Sequence, residues 1–332
     1  MRYAVISDIH GNLYALQAVL SDAANQNIGK YLFLGDYIED FPWPNEVVET
    51  VRCAKNAVVI RGNKEQYIAD MYGNSQITWV YEQMAPMYWN YRELTEDNMK
   101  YLISLPSCLE IMTDTGSVIR LIHNNPVFYR KPRIEAFHST PYRKRMMAKP
   151  FTHAEYLTFA RNSVLERPDA VRELQVLPPG VYTFGHNHVS WHMKYKDKLL
   201  INPGSCGMPL DFDTAAPYTI IEDGADGWSI EERRVPYDVE TVIDCLKKSE
   251  LYRQGEIWSR IMICQLRAAG DYIGSFLAHV GQTANKRNYT LRPVSNEIWR
   301  EAADTFELLD IWNVYIGNDE IGSVAHVSAI GD

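Results

Sequence analysis

A chain of 332 residues with 46% hydrophobic and 23% charged residues has the composition of a globular protein, long enough for one large domain or two. A formal net charge of -9 argues against a general nucleic-acid binder, so no stable nucleic-acid binding is expected. Five scattered cysteines without a CxxC pair argue against a disulfide framework and for free thiols in a reducing compartment.

The opening residues lack a signal-peptide pattern, and no apolar run approaches the roughly 20 residues of a membrane span. A cytoplasmic location without membrane association is the expectation. Tyr3 to Ser7 read as a short apolar strand ending in Asp8, Ile9, His10, Gly11 and Asn12. Leu13, Leu16, Ala18, Val19 and Leu20 then follow amphipathic-helix spacing. YLFL is a second strand, ending in Gly35 and Asp36, and PNEVVETVRCA a second helix. AVVI is a third strand, ending in Arg61, Gly62 and Asn63. Such alternation predicts an α/β fold with parallel strands, whose sites form beyond the strands' carboxyl ends.

Residues 64–104 are helical in pattern and rich in aromatics, read as packing rather than as a ligand cage. SCLEIM and SVIRLI form a hairpin across Thr113 to Gly116, and the second strand ends on His123. A long segment from Val127 to Val176 follows, helical from about His153. It carries the basic run Arg130, Lys131, Arg133, Arg143, Lys144 and Arg145. VYTF is a strand leading into Gly185, His186, Asn187 and His188. WHMKY pairs with KLLIN, which ends at Asn202 to Ser205, and YTIIE pairs with WSIEERRV. Helical periodicity takes over from Tyr237. The expected division is 1–236, with an insertion at about 127–176, and a mostly helical extension over 237–332.

Asp8, His10, Asp36, Asn63, His123, His186 and His188 therefore all fall at strand ends. Taken singly, each histidine is more often structural, and each Gly-Asp or Gly-Asn is more often a turn. Together they offer the mixed imidazole, carboxylate and amide set that suits manganese, iron or zinc. Two divalent cations ~3.5–4 Å apart need a shared anionic bridge, for which Asp36 on a middle strand is the natural candidate.

The order DIH (Asp8, His10), GD (Asp36), GN (Asn63), strand-end His123, GHNH (His186, His188) and INPGS (Asn202 to Ser205) resembles the calcineurin-like metallophosphoesterases over about residues 1–236. DIHGNLYAL together with GHNH and NPGS is similar to a compact bacterial branch that includes phosphodiesterases and some diadenosine-polyphosphate hydrolases. The resemblance implies a four-layer αββα sandwich, two mixed β-sheets flanked by helices, here with a C-terminal helical extension. It implies two divalent ions, Mn2+ first and Fe or Zn as alternatives. It assigns Asp8, His10, Asp36 and His188 to one ion, and Asp36, Asn63, His123 and His186 to the other. Asp36, Asn63 and His123 would then serve catalysis with a metal-bridging hydroxide. Many relatives carry a histidine after the GN asparagine; here that position is Lys64, read either as a phosphate contact or as a solvent-facing helix start. Arg61, Arg143 and Arg145 are further candidates for phosphate contact, with Asp40 or Glu65 as alternative partners for Arg61.

The resulting reading is a metal-dependent phosphoesterase acting on a phosphodiester or nucleotide polyphosphate. The alternatives are a phosphomonoesterase or protein phosphatase, and a non-catalytic scaffold that binds proteins. The C-terminal helices are expected either to cover the site, to bind a partner, or to form a homo-oligomer.

Overall fold

The computed structural model describes residues 1–75, 79–123, 152–166, 168–224 and 227–306. Two five-stranded sheets pack face to face. The first runs β10-β9-β1-β2-β3, from strands β1 (Arg2–Ile6), β2 (Lys30–Phe33), β3 (Ala57–Val59), β9 (Ala216–Gly224) and β10 (Gly227–Val235). The second runs β4-β5-β6-β8-β7, from β4 (Cys108–Met112), β5 (Val118–Ile122), β6 (Gly180–Thr183), β7 (Ser190–Tyr195) and β8 (Lys198–Pro203). Both sheets are mixed. The strands β1, β2 and β3 are parallel, while β9 joins β1 antiparallel.

The strand period explains the layering. In β1, Tyr3 and Val5 face the second sheet, meeting Ile119, Leu121, Val181, Leu199 and Ile201 in one buried core. Ala4 and Ile6 point the other way, into a core shared with helices α1 (Leu13–Ala24), α2 (Pro44–Cys53), α3 (Asn63–Met71) and α5 (Glu96–Ser104). Because both faces of β1 are covered, its sequence is an apolar run rather than an alternation. Helices α6 (His153–Leu165) and α7 (Pro168–Val176) cover the outer face of the second sheet around Trp191 and Leu200. The expected four-layer αββα sandwich is the observed architecture.

Beyond β10 lie α8 (Val239–Lys248), α9 (Glu250–Gln254), α10 (Glu256–Ala268), α11 (Tyr272–Lys286) and α12 (Asn296–Thr305). Their apolar faces are not left open. They close over Phe41, Met208 and, from α4 (Ala85–Glu93), Trp89 to form a further core. Of the aromatic stretch, Tyr88 and Trp89 are buried and pack, as expected, and the partly exposed Trp79 packs its ring against Tyr88 and Tyr91, with centroids 5.2 and 5.1 Å away. No helix among the described residues is long and apolar enough to cross a membrane.

Candidate metal centre

The carboxyl ends of β1, β2, β3, β5 and β6 meet at one edge of the sandwich, and all seven candidate ligands converge there. Asp8, His10, Asp36, His186 and His188 adopt left-handed backbone conformations, with φ between 54° and 74°. Non-glycine residues seldom hold this conformation and do so mainly where function demands it. The effect is to turn each side chain off its strand and into a common space. Two glycines give the room: a Cβ at Gly62 would collide with the Asp36 carboxylate, and one at Gly185 with Ser7 and Asp8.

Two groups of donors form. In the first, His188 Nε2 lies 3.3 Å from Asp8 Oδ1 and 3.1 Å from His10 Nε2. In the second, His123 Nε2 lies 3.3 Å from Asp36 Oδ2 and 3.2 Å from Asn63 Oδ1, and His186 Nδ1 lies 2.8 Å from the same amide oxygen. Asp36 Oδ2 is also 3.9 Å from His10 Nε2, so this carboxylate stands between the groups. Asp8 Oδ1 approaches His123 equally, at 3.9 Å.

The far side of each ring sets what the near side offers. His123 Nδ1 is 2.8 Å from the Leu34 carbonyl oxygen, and His188 Nδ1 is 3.1 Å from that of Met208. A carbonyl only accepts, so in both rings Nδ1 carries a proton and Nε2 is the nitrogen that faces inward, where it can hold a proton or a cation. His10 Nδ1 is 2.7 Å from Asp40 Oδ2, an ion-pair contact that leaves Nε2 as the nitrogen facing the other donors. Two inward Nε2 atoms 3.1 Å apart repel unless a proton or a cation lies between them. This donor set fits a divalent cation.

Charge follows the geometry. Burial alone would lower the His10 and His123 pKa values. The bonds to Asp40 and Asp8 outweigh it at His10, which reaches about 10; Asp36 and Asp8 outweigh it at His123, which reaches about 9. Asp8 and Asp36 are fully buried, which would raise them, yet His123 and the other imidazoles hold both well below the usual carboxylate range. Protons and a cation compete for the same inward atoms.

A layer of supporting residues, few of them singled out by the sequence, fixes the loops. Glu65 is buried and accepts from three backbone amides, Gly62 at 2.7 Å, Asp36 at 2.9 Å and Tyr37 at 2.8 Å, tying the GD loop to the GN loop. The sequence does carry a signal for it: a glutamate three residues into a helix commonly caps its start. Asn202 Nδ2 donates to the Gly185 carbonyl oxygen at 2.9 Å, and Ser205 Oγ donates to that of Asp8 at 2.6 Å, which gives NPGS its part. Both Asp8 carboxylate oxygens also receive the His186 amide.

Several expectations need correction. Lys64 is no solvent-facing helix start: its side chain is 18% exposed and its ammonium sits on the Glu39 carboxylate. Burial pulls its pKa down, but Glu39, Asp40 and Asp36 more than offset this and raise it. A third acidic group, His10 with Glu39 and Asp40, thus already holds a positive charge. Arg61 pairs with neither Asp40 nor Glu65 but turns toward α5, donating to the Ile103 carbonyl oxygen at 3.4 Å. Arg143, Arg145 and the rest of the basic run lie outside the described residues.

Comparison with known proteins agrees with this geometry. Residues 1–190 match the family model described as calcineurin-like phosphoesterase. An uncharacterised protein of Methanocaldococcus jannaschii, MJ0912, is 30% identical over 249 residues, covering 75% of this chain and 93% of its own. Among solved structures, a metallophosphoesterase from Sphaerobacter thermophilus aligns at a TM-score of 0.56 and 23% identity, covering 81% of this chain and all of its own. A hypothetical protein from Pyrococcus horikoshii, PH1004, aligns at 0.56 and 21%, covering 77% and 97%. Both structural likenesses bear on fold alone. The convergent donors and the match over more than half of the sequence lead to one conclusion: this chain belongs to the calcineurin-like phosphoesterase family.

Proposed function

We propose that the chain is a dinuclear-metal phosphoesterase whose substrate is a phosphodiester or a nucleotide polyphosphate. The observation that carries this reading is the pair of donor groups, Asp8/His10/His188 and Asp36/Asn63/His123/His186, with Asp36 between them. When bound, two divalent ions, Mn2+ foremost, supply a water of lowered pKa and neutralise charge on the phosphoryl oxygens. Asp36 would be the carboxylate shared by the two ions. Asn63 and His123 would hold the second ion, and His10 and His188 the first.

Lys64 bears on the substrate class. Its proton is held too tightly for a general acid at neutral pH, because an effective acid has a pKa near the working pH. Lys64 is therefore a fixed positive charge, and the leaving group departs without a proton from it. This favours substrates whose leaving group is itself acidic, such as the phosphate of a polyphosphate or an aryl oxide, over alkyl monoesters such as phosphoserine.

The deciding experiment is hydrolysis of a matched aryl phosphodiester and aryl phosphomonoester by the manganese-loaded chain. A diester preference supports the reading and leads next to dinucleotide polyphosphates. A monoester preference replaces it with a phosphatase. Two bound ions with no turnover of either ester would point to a more selective substrate, and no bound metal would leave the non-catalytic scaffold.

A further inference from the structure

The helices beyond Pro236 reach the metal centre through two of its histidines. Trp258, on α10, donates its indole N–H to Asp40 Oδ1 at 2.6 Å, and Asp40 Oδ2 lies 2.7 Å from His10 Nδ1. Asp40 and His10 are each 1% exposed, so water does not screen the contact between them, while Trp258 at its outer end is partly buried. The second route is made by the backbone. Met208 offers its carbonyl oxygen to His188 Nδ1 at 3.1 Å while its side chain is packed in the core of the C-terminal helices. Nearby, the Phe212 amide donates to the Ala269 carbonyl oxygen, just past the end of α10, at 2.9 Å. Phe41, next to Asp40 in sequence, is fully buried in the same helical core.

His10 and His188 belong to the same donor group, whereas His123 is oriented by Leu34 of the sandwich itself. The contacts from the C-terminal helices thus run to the first donor group. We propose that the C-terminal helices are a built-in support for the first metal position, with Trp258 and Asp40 as positioning residues that fix the His10 ring with Nε2 facing the ion. The proposal rests on the dinuclear reading above. It gives the extension a role in the chemistry of its own chain. An imidazole held in one tautomer and one orientation binds metal without the cost of ordering it, and loss of such a partner typically costs about 10–100-fold in affinity.

The test is calorimetric titration of the metal-free full-length chain with Mn2+, which reads metal binding independently of turnover. The unaltered chain is expected to take up two ions. Asp40→Asn should weaken one of them by about 10–100-fold and leave the other unchanged. Trp258→Phe keeps an aromatic ring but loses the N–H, and should weaken the same ion by about tenfold or less. Added to Asp40→Asn, the Trp258→Phe change should have no further effect on that ion, because the two act in series. Unchanged affinities in both single variants, equal weakening of both ions, or additive losses would overturn the proposal while leaving the dinuclear reading intact. If the unaltered chain takes up no Mn2+, that reading fails and the support role with it. If Trp258→Phe does not fold, the Asp40→Asn titration decides alone.

Discussion

The Lys64 ammonium is seated on the Glu39 carboxylate, with the two side chains only 18% and 10% exposed. It stands among Asp36, Asp40 and Glu39, all of which raise its pKa. Removing one partner of such a pair leaves an uncompensated buried charge, whereas removing both does not. Lys64→Met should therefore lower the stability of the metal-free chain by about 3 kcal/mol. The Glu39→Gln/Lys64→Met double variant should regain most of that loss in urea unfolding. Equal losses in the single and double variants would mean that the pair is not coupled.

Asp36 is the carboxylate between the donor groups, 3.3 Å from His123 Nε2 and 3.9 Å from His10 Nε2. Asp36→Asn keeps its size but removes the negative charge that two cations would share. The loss of kcat should exceed the ~100-fold seen when a partner that only orients a ligand is removed. Cooperative thermal unfolding should persist, since the surrounding strands keep their core. A fully active Asp36→Asn enzyme would refute the bridging assignment.

Glu65 holds three backbone amides with two oxygens, a task an amide cannot match. Glu65→Gln puts an NH2 group against a backbone N–H and leaves a buried donor without a partner, at a cost of about 1–3 kcal/mol. Because those amides belong to Asp36, Tyr37 and Gly62, the GD and GN loops should loosen together. The expected readout is a lower unfolding midpoint and Mn2+ binding weakened about 10–100-fold. A variant that is destabilised but binds metal normally would make Glu65 structural only.

The strand-end donors are legible in the sequence because strand, loop and helix alternate simply through β3, and because polar residues after apolar runs stand out. Nothing local marks Asp40 or Trp258. They lie 218 residues apart in sequence, and only the packing of α10 over the 36–41 loop brings them together. Lys64 is hard to read for a related reason. A lysine at a helix start reads as exposed unless one knows that Glu39, 25 positions earlier, is folded back beneath it. Arg61 likewise spends its guanidinium on α5, a neighbour that strand and helix patterns do not locate. Local pattern gives elements and their ends; what lies behind a ligand depends on how distant elements pack.

A last relationship ties the first helix to the last hairpin and carries a pH dependence away from the metal centre. Arg233 on β10 grips Asp22 on α1 with two bonds, Nε to Oδ2 at 2.7 Å and Nη2 to Oδ1 at 2.9 Å, and Tyr218 on β9 adds a third at 2.6 Å. The Arg233 bond, with that from Tyr218, holds the Asp22 carboxyl below its ordinary value despite some burial. The group binds its proton more weakly in the folded chain than in the unfolded one. Its stabilisation is therefore complete above the ordinary carboxylate pKa of about 3.9 and is lost as pH falls through and below it. Both side chains are about a quarter exposed, so solvent screening limits the effect to about 1 kcal/mol. Asp22→Asn should lower stability by about that amount at pH 7, and the gap to the unaltered chain should close on acidification toward pH ~3. Urea unfolding at a series of pH values measures both. A gap that stayed constant with pH would mean that the substitution costs packing rather than charge, and the Arg233 pair would lose its claim to hold α1 against the sheet.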